Sequence, residues 1–367
     1  MVPEDSGDKS MKRALIAMSG GVDSSVAAML MKDRGFHCIG CTMKLYHNED
    51  VGLERGRTCC SLDDVEDARS VARRLQMPYY VFNFSHDFRE QVMDRFAAAY
   101  EAGMTPNPCI DCNRCMKFEK LYHRAEILGC DSVVTGHYAR IEREGENYQL
   151  KKALDETKDQ SYVLYFMNQE QLAHTVFPLG SLRKTQVRAL AEENGFLNAH
   201  KADSQDICFV PDGDYALFLE RYRGKTYAPG AFLNENGDVL GQHRGIIHYT
   251  VGQRKGLGVS FGEPMYVKCI NAAENTVTLC KERDLYGRTV WADRFHWISG
   301  KKPNGTLRCK VRIRYRQPEQ EALVSPIDDA SVRIVFEQPQ RAITPGQAAV
   351  LYDGDTVLGG GTIVYSE

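Results

Sequence analysis

The chain has 367 residues, with 46 Lys and Arg against 49 Asp and Glu, a net charge of −3, and 43% hydrophobic and 26% charged residues. This is the profile of a soluble globular protein with room for about two or three domains. No apolar run approaches the ~18 residues of a membrane helix, and the charge balance excludes nucleic-acid binding through overall positive charge, leaving only local basic patches.

In chain order, Met1 to Lys12 are polar and mixed in charge. They lack both the apolar core of a signal peptide and the Arg-rich, acid-poor character of a transit peptide, so they read as a frayed tail. Twelve cysteines without a secretion signal then point to reduced thiols and a cytoplasmic location rather than a disulfide scaffold. Ala14–Met18 reads as a strand that breaks into Ser19-Gly20-Gly21-Val22-Asp23-Ser24-Ser25 and then a helix over 22–34. A glycine turn at a helix N-terminus gathers backbone N–H groups into a cradle for phosphate. No Gly-Lys-Ser/Thr follows, so this is not a Walker loop. The plainer reading is a glycine turn with a Ser/Asp helix cap. Asp23 is unusual in an anion site, since it repels phosphate unless Mg²⁺ intervenes.

Cys38–Met43 reads as a second strand. Ser61-Leu-Asp-Asp64 looks like a helix start, with Val65, Ala68, Ala72 and Leu75 at helical spacing. Pro78 ends that helix, and Tyr79–Phe84 follows as a third strand. Phe88–Tyr100 and Lys117–Leu128 read as helices, and Ser132–Thr135 as a strand running into Gly136-His137. This order predicts an α/β fold, a parallel sheet with helices on both faces. Ligands then belong at the carboxyl ends of the strands, where residues 18–24 and 135–137 fall. From about Tyr215 turns become frequent, and from about 286 to 367 the chain reads as a small all-β unit with strands near 307–315, 331–336, 347–352 and 357–364. Lys310, Arg312, Arg314 and Arg316 recur at period two, which predicts four positive charges on one strand face, with Val311, Ile313 and Tyr315 on the other. Lys301, Lys302 and Arg308 add to that patch. It is either a solvated face or a phosphate-binding one, and four like charges in register favour the phosphate partner.

Asn107-Pro108-Cys109-Ile-Asp-Cys112-Asn-Arg-Cys115 holds three cysteines at spacing three, on a loop just before a helix. Helix N-termini favour thiolate, and such a set is open to structural zinc, redox or iron–sulfur use. Cys208, between Ile207 and Phe209, reads by itself as a buried core thiol. Cys38, Cys41, Cys130, Cys269, Cys280 and Cys309 read as packing residues, and a metal role for Cys59-Cys60 is disfavoured.

The loop resembles that of ATP pyrophosphatases, which cleave between the α and β phosphates and form adenylates. With Thr135-Gly-His-Tyr-Ala139, Lys158-Asp-Gln-Ser-Tyr162, Ser204–Phe209, His248–Gly258 and Pro345-Gly-Gln347, the chain from Ala14 onward resembles the bacterial and organellar tRNA-specific 2-thiouridylases. These replace the 2-oxygen of a wobble uridine with sulfur. The resemblance implies a pyrophosphatase-loop catalytic domain over 12–214, a small tRNA-contacting central domain over 215–285 and a β-barrel-like tRNA-binding domain over 286–367. It places ATP at Ala17, Met18, Ser19, Gly20, Gly21, Val22, Asp23, Ser24, Met43 and Gly136, with Mg²⁺ offsetting the phosphates. It places the target base beside Asn107, Pro108 and Cys109, and tRNA contacts at His137, Lys158, Asp159, Gln160, Arg314, Tyr315 and Gln347. Cys112 matches the nucleophile and Cys208 the persulfide carrier. A sulfur-donor protein, a desulfurase or a relay protein, is the implied second partner. Many relatives have Asp where this chain has Cys109, so Cys109, Cys112 and Cys208 also form a possible ligand set for a [4Fe–4S] cluster. The rival readings are a loop enzyme acting on a small metabolite, a tRNA 2-thiocytidine enzyme, and a non-catalytic tRNA-binding or sulfur-relay module.

Overall fold

The computed structural model describes residues 11–47, 62–201, 207–210 and 212–367. The expected helix start at Ser61, the Cys59-Cys60 pair and Ser204–Asp206 lie outside the described residues. The first domain is built on a five-stranded sheet. In chain order its elements include β1 (Arg13–Ala17), β2 (His37–Lys44), β3 (Tyr79–Asn83) and β4 (Ser132–Val134), then a hairpin of β5 (Arg140–Glu144) and β6 (Asn147–Lys151), then β7 (Thr175–Val176). The sheet order is β3-β2-β1-β4-β7 and every pairing is parallel. Side chains alternate across β1, which explains the two layers. Ala14 and Ile16 pack with Val26 and Ala27 of α1 (Val22–Asp33) and with Ala68 and Val71 of α2 (Leu62–Arg74). Leu15 packs on the opposite face with Leu121 and Ala125. Both faces are covered, as a parallel sheet requires.

Leu121 and Ala125 belong to a helical stretch over 108–127 that starts well before the expected Lys117. The sequence carried the signal: Asn107 caps the helix, its side chain accepting from Cys109 N–H, and Pro108 takes the first turn. The stretch contains a π-helical segment from Cys112 to Lys120. Such widened turns occur often at functional sites.

The central sheet contains β8 (Gly230–Leu233), β9 (Val239–His243), β10 (Tyr266–Asn271) and β11 (Thr276–Cys280), in the order β10-β11-β8-β9. Its Phe232, Val267, Val277 and Leu279 share one core with Phe88, Phe96 and Phe209. The C-terminal strands are β12 (Tyr286–Trp297), β13 (Leu307–Arg312), β14 (Gln320–Pro326), β15 (Val332–Arg341), β16 (Ala348–Asp353) and β17 (Thr356–Ser366). They pair in the order β12-β15-β14-β13-β16-β17, and β12 also pairs with β17, which closes a six-stranded antiparallel barrel. The expectations omitted β12 and β14. β12 hides its alternation because its register with β17 slips between Trp291 and Ala292 and again between Asp293 and His296. The barrel is fastened to the first domain. Ala348, Val350 and Tyr352 share a core with Phe118, Tyr162 and Leu164, and the Tyr162 hydroxyl donates to Ala348 O at 2.9 Å. No described helix is long and apolar enough to cross a membrane.

Candidate active site

The chain turns from β1 into α1 through Ser19-Gly20-Gly21. Gly20 has φ +75°, and a Cβ there would lie 2.4 Å from Asp64 O, so the tight approach of loop to α2 needs glycine. Gly21 occupies the N-cap and no side chain caps α1, which leaves the helix N-terminus open toward the strand ends. Ser24 and Ser25 hydroxyls both donate to Gly21 O, at 3.0 and 3.1 Å, and the Ser24 oxygen accepts from Ser19 N–H at 3.2 Å. Gly136 presses on the loop from β4, where a Cβ would come within 2.8 Å of Asp23 C and Ser24 N. The cradle is therefore held by its own hydroxyls and by two glycine contacts.

Asp23 finds a different answer from the one its sequence suggests. Lys184 Nζ reaches both carboxylate oxygens, at 2.8 and 2.7 Å, and Tyr138 OH donates to the first at 2.7 Å. Its charge is balanced by a lysine, so tolerance of Asp23 beside phosphate does not require a metal ion. Lys201 plays the same part for Asp64 and Asp67, at 2.6 and 2.7 Å. Asn198 adds bonds to Gly20 O and Ser25 Oγ, both 2.9 Å. Lys184, Asn198 and Lys201 carry no motif and lie far from the loop in sequence; only the fold brings them there.

Two cavities meet at the loop. One, of about 620 Å³, contains Ala17, Met18, Ser19, Asp23, Ser24 and Met43 in its wall. Gly136, Asn107, Pro108 and Cys109 line it as well, and so do Cys112 and Cys208, 96 residues apart in the chain. The loop, the cysteine segment and the distant cysteine thus surround one space. Cys109 is exposed there, and Cys112 and Cys208 are half-buried. Tyr46 OH fixes the Cys208 carbonyl at 2.7 Å. The other cavity, of about 830 Å³, is lined by Gly21, Val22, Lys158, Asp159 and Lys184 on one side and by Arg312 and Gln317 of the barrel on the other.

His137 sits in the wall of the thiol-lined cavity with only 7% of its surface exposed, against the rings of Phe118 and Phe177. Burial, reinforced by Lys117, holds its pKa well below 6.5, so the ring is neutral. Lys117 Nζ lies 3.4 Å from Nε2, which makes Nε2 the acceptor, and Nδ1–H then donates to Thr135 Oγ1 at 2.6 Å. That tautomer is assigned from the hydrogen-bond network. His137 is therefore reachable from the cavity and not from the open surface.

The four-charge strand face is not assembled. β13 ends at Arg312, so the alternation stops there. Arg312 pairs with Glu319 at 2.8 Å and Asp159 at 3.5 Å. Arg314 donates to Val251 O at 3.1 Å, to Ala342 O at 3.0 Å and to the Thr344 hydroxyl, joining barrel to central domain. Tyr315, expected to turn inward with Val311 and Ile313, is 37% exposed and lines both cavities. Arg308 is spent on Glu321 and Glu337, and Lys302 on Asp329. Three further expected tRNA contacts bond within the protein. Asp159 accepts from Ala153 N at 3.1 Å and Ser161 Oγ at 2.8 Å, Gln160 accepts from Tyr138 N at 3.0 Å, and Gln347 donates to Thr105 O at 2.7 Å.

Among the described residues no group of three His, Cys, Asp or Glu is arranged to hold a metal ion. Cys109, Cys112 and Cys208, the iron–sulfur ligand set expected from the sequence, all line this one cavity. Of the cysteines read as packing, burial drives the thiol pKa of Cys38 and Cys280 up to about 11 and of Cys309 to about 12, and that of Cys41 higher still. Cys269 is a correction, being exposed on β10.

Comparison with known proteins gives the family. Residues 12–212 match the tRNA methyl transferase HUP domain, 216–281 the tRNA methyl transferase PRC-barrel domain and 288–363 the aminomethyltransferase beta-barrel domain. The chain is 49% identical over 358 residues to the tRNA-specific 2-thiouridylase MnmA of Acetivibrio thermocellus, covering 96% of this chain and 99% of that one. It is 47% identical to the protein of the same name from Clostridioides difficile, covering 96% and 98%. The domain descriptions speak of methyl transfer, whereas the full-length relatives are named for thiolation, and a cavity lined by Cys109, Cys112 and Cys208 suits the second. The chain belongs to the tRNA-specific 2-thiouridylase family.

Proposed function

We propose that this protein uses ATP to replace the 2-oxygen of a tRNA wobble uridine with sulfur, releasing AMP and pyrophosphate. The observation that carries this reading is the single cavity walled by the Ser19–Ser24 loop, Cys112 and Cys208. A uracil 2-oxygen is a poor leaving group and must be activated. The loop N–H groups and the open end of α1 hold the triphosphate. The uridine oxygen attacks the α-phosphorus, the bond to the bridging oxygen breaks, and pyrophosphate departs with that electron pair. Mg²⁺ bound to the phosphates would offset their charge.

Sulfur then arrives as a persulfide on Cys208, loaded by a sulfur-donor protein. The terminal sulfur attacks C2 and AMP leaves. Cys112 thiolate attacks the Cys208 sulfur, breaking the S–S bond, so the product keeps one sulfur and a Cys112–Cys208 disulfide remains. A dithiol reductant restores the pair, which fits a reducing cytosolic setting. The target base must leave the anticodon stack to enter a cavity of this kind. Neutral His137, both of whose ring nitrogens are engaged by Thr135 and Lys117, offers such a base its ring surface rather than a free polar atom. A small-metabolite ligase would leave the second cysteine unused, and a binding module would leave the loop unused.

The test mixes purified protein, tRNA transcript, ATP and a cysteine desulfurase. Pyrophosphate release that requires tRNA, together with 2-thiouridine in the digested tRNA by mass spectrometry, is the expected result. Pyrophosphate release indifferent to tRNA contradicts the reading.

A further inference from the structure

Several cations around the phosphate cradle are already committed within the protein. Lys184 is bound to Asp23, and Lys201 to Asp64 and Asp67. On the barrel side, Arg312 is held by Glu319 and Asp159, and Arg314 by backbone and hydroxyl oxygens. Arg316 is different. It is exposed, it lies four residues beyond the end of β13, and among the described residues it has no carboxylate partner.

Its position is as informative as its charge. The two cavities share Ser19, Asp23, Gln160, Tyr315 and Arg316 in their walls. The loop of the first domain and a connection of the barrel therefore face each other where the cavities meet. One cavity holds the thiols; the other is lined by Lys158, Lys184 and Lys201. Cleavage between the α and β phosphates must separate an adenylate that stays with the thiols from a pyrophosphate that leaves. The junction is where the scissile bond belongs.

We infer that Arg316 is the cation by which the C-terminal barrel completes the triphosphate site. A guanidinium stays charged at any working pH and presents a planar fork suited to two phosphate oxygens. In the adenylation step it meets the negative charge gathering on the departing pyrophosphate. No proton moves to or from it. The triphosphate site is then completed across two domains, by the loop of the first and a connection of the barrel. This inference rests on the proposed adenylation reading for its catalytic meaning, but its test does not.

The test measures binding of a non-hydrolysable α,β-methylene ATP analogue by calorimetry, without tRNA or sulfur donor, to wild type, Arg316→Gln and Arg316→Lys. Filter binding of tRNA and a thermal melt accompany it. The expected loss for Arg316→Gln is about tenfold in analogue affinity, the scale of one charge-assisted contact, with partial recovery in Arg316→Lys. Affinity for tRNA stays within about twofold and the melt is unchanged, since the side chain is exposed. Analogue affinity within twofold of wild type in Arg316→Gln overturns the inference, whatever happens to tRNA binding. If Arg316→Gln does not fold, Arg316→Lys decides alone, by a measurable loss or none. Failed thiolation with an intact Arg316 effect would count against the proposed function only.

Discussion

Replacing Cys112 or Cys208 with serine will lower 2-thiouridine formation by roughly a thousandfold or more, while tRNA-dependent pyrophosphate release continues within a few-fold of wild type. The cause is chemical. A serine oxygen neither carries a sulfane sulfur nor releases one by disulfide formation. The cysteines line the cavity of the loop, while the cradle is braced by bonds among Ser19, Gly21, Ser24 and Ser25 and by Asn198. Adenylation should therefore proceed and stop. Because the thiols act as one unit, the double variant should be no worse than either single one. Thiolation measured by nucleoside mass spectrometry and pyrophosphate measured in the same tube check this. Loss of both activities together would mean that the cysteines support the fold or the nucleotide site rather than the sulfur step.

Gly20→Ala will abolish measurable nucleotide binding, at least a hundredfold loss, and destabilise the protein by on the order of 2–4 kcal/mol. The residue sits at φ +75°, and the new Cβ would meet backbone of Asp64 at 2.4 Å (O) and 2.8 Å (Cα). Backbone cannot give way as a flexible side chain can, so loop and α2 must separate and the N–H groups lose their convergence. Gly35→Ala provides the comparison. Gly35 has φ +82°, but a methyl added there would meet nothing within 4 Å, so this variant bears only the conformational cost and should bind nucleotide normally. Calorimetric binding of ATP and thermal melts of both variants check this. Equal nucleotide affinity in the two variants would remove the close approach of Asp64 from the account.

What the sequence displays follows from how local each cause is. The loop is legible because glycine, hydroxyl and strand-to-helix context all lie within a dozen residues. The cysteine segment is legible for the same reason, its cap and proline lying beside its thiols. Lys184 and Lys201 are not, because each acquires meaning only from carboxylates more than a hundred residues away, Asp23 and Asp64. Cys208 shows the limit most clearly. Between Ile207 and Phe209 it reads as core, and only the resemblance to the family, and then the shared cavity, separate it from Cys41. The barrel arginines mislead in the opposite direction. A period-two pattern predicts a flat charged face, but β13 stops at Arg312, and tertiary partners claim Arg312 and Arg314. The same break in the strand turns Tyr315 toward the cavities. Pattern fixes alternation within a strand and is silent on where the strand ends or which acids wait nearby.

The most direct measurement is peptide mapping after a single turnover. Protein preloaded with sulfur by a desulfurase is given ATP and tRNA, quenched with alkylating reagent and digested without reductant. A sulfane sulfur is expected on the Cys208 peptide before the turnover, and a disulfide joining the Cys112 and Cys208 peptides afterwards, in proportion to the thiolated tRNA formed. Thiolated tRNA with both cysteines recovered as separate alkylated peptides would contradict it.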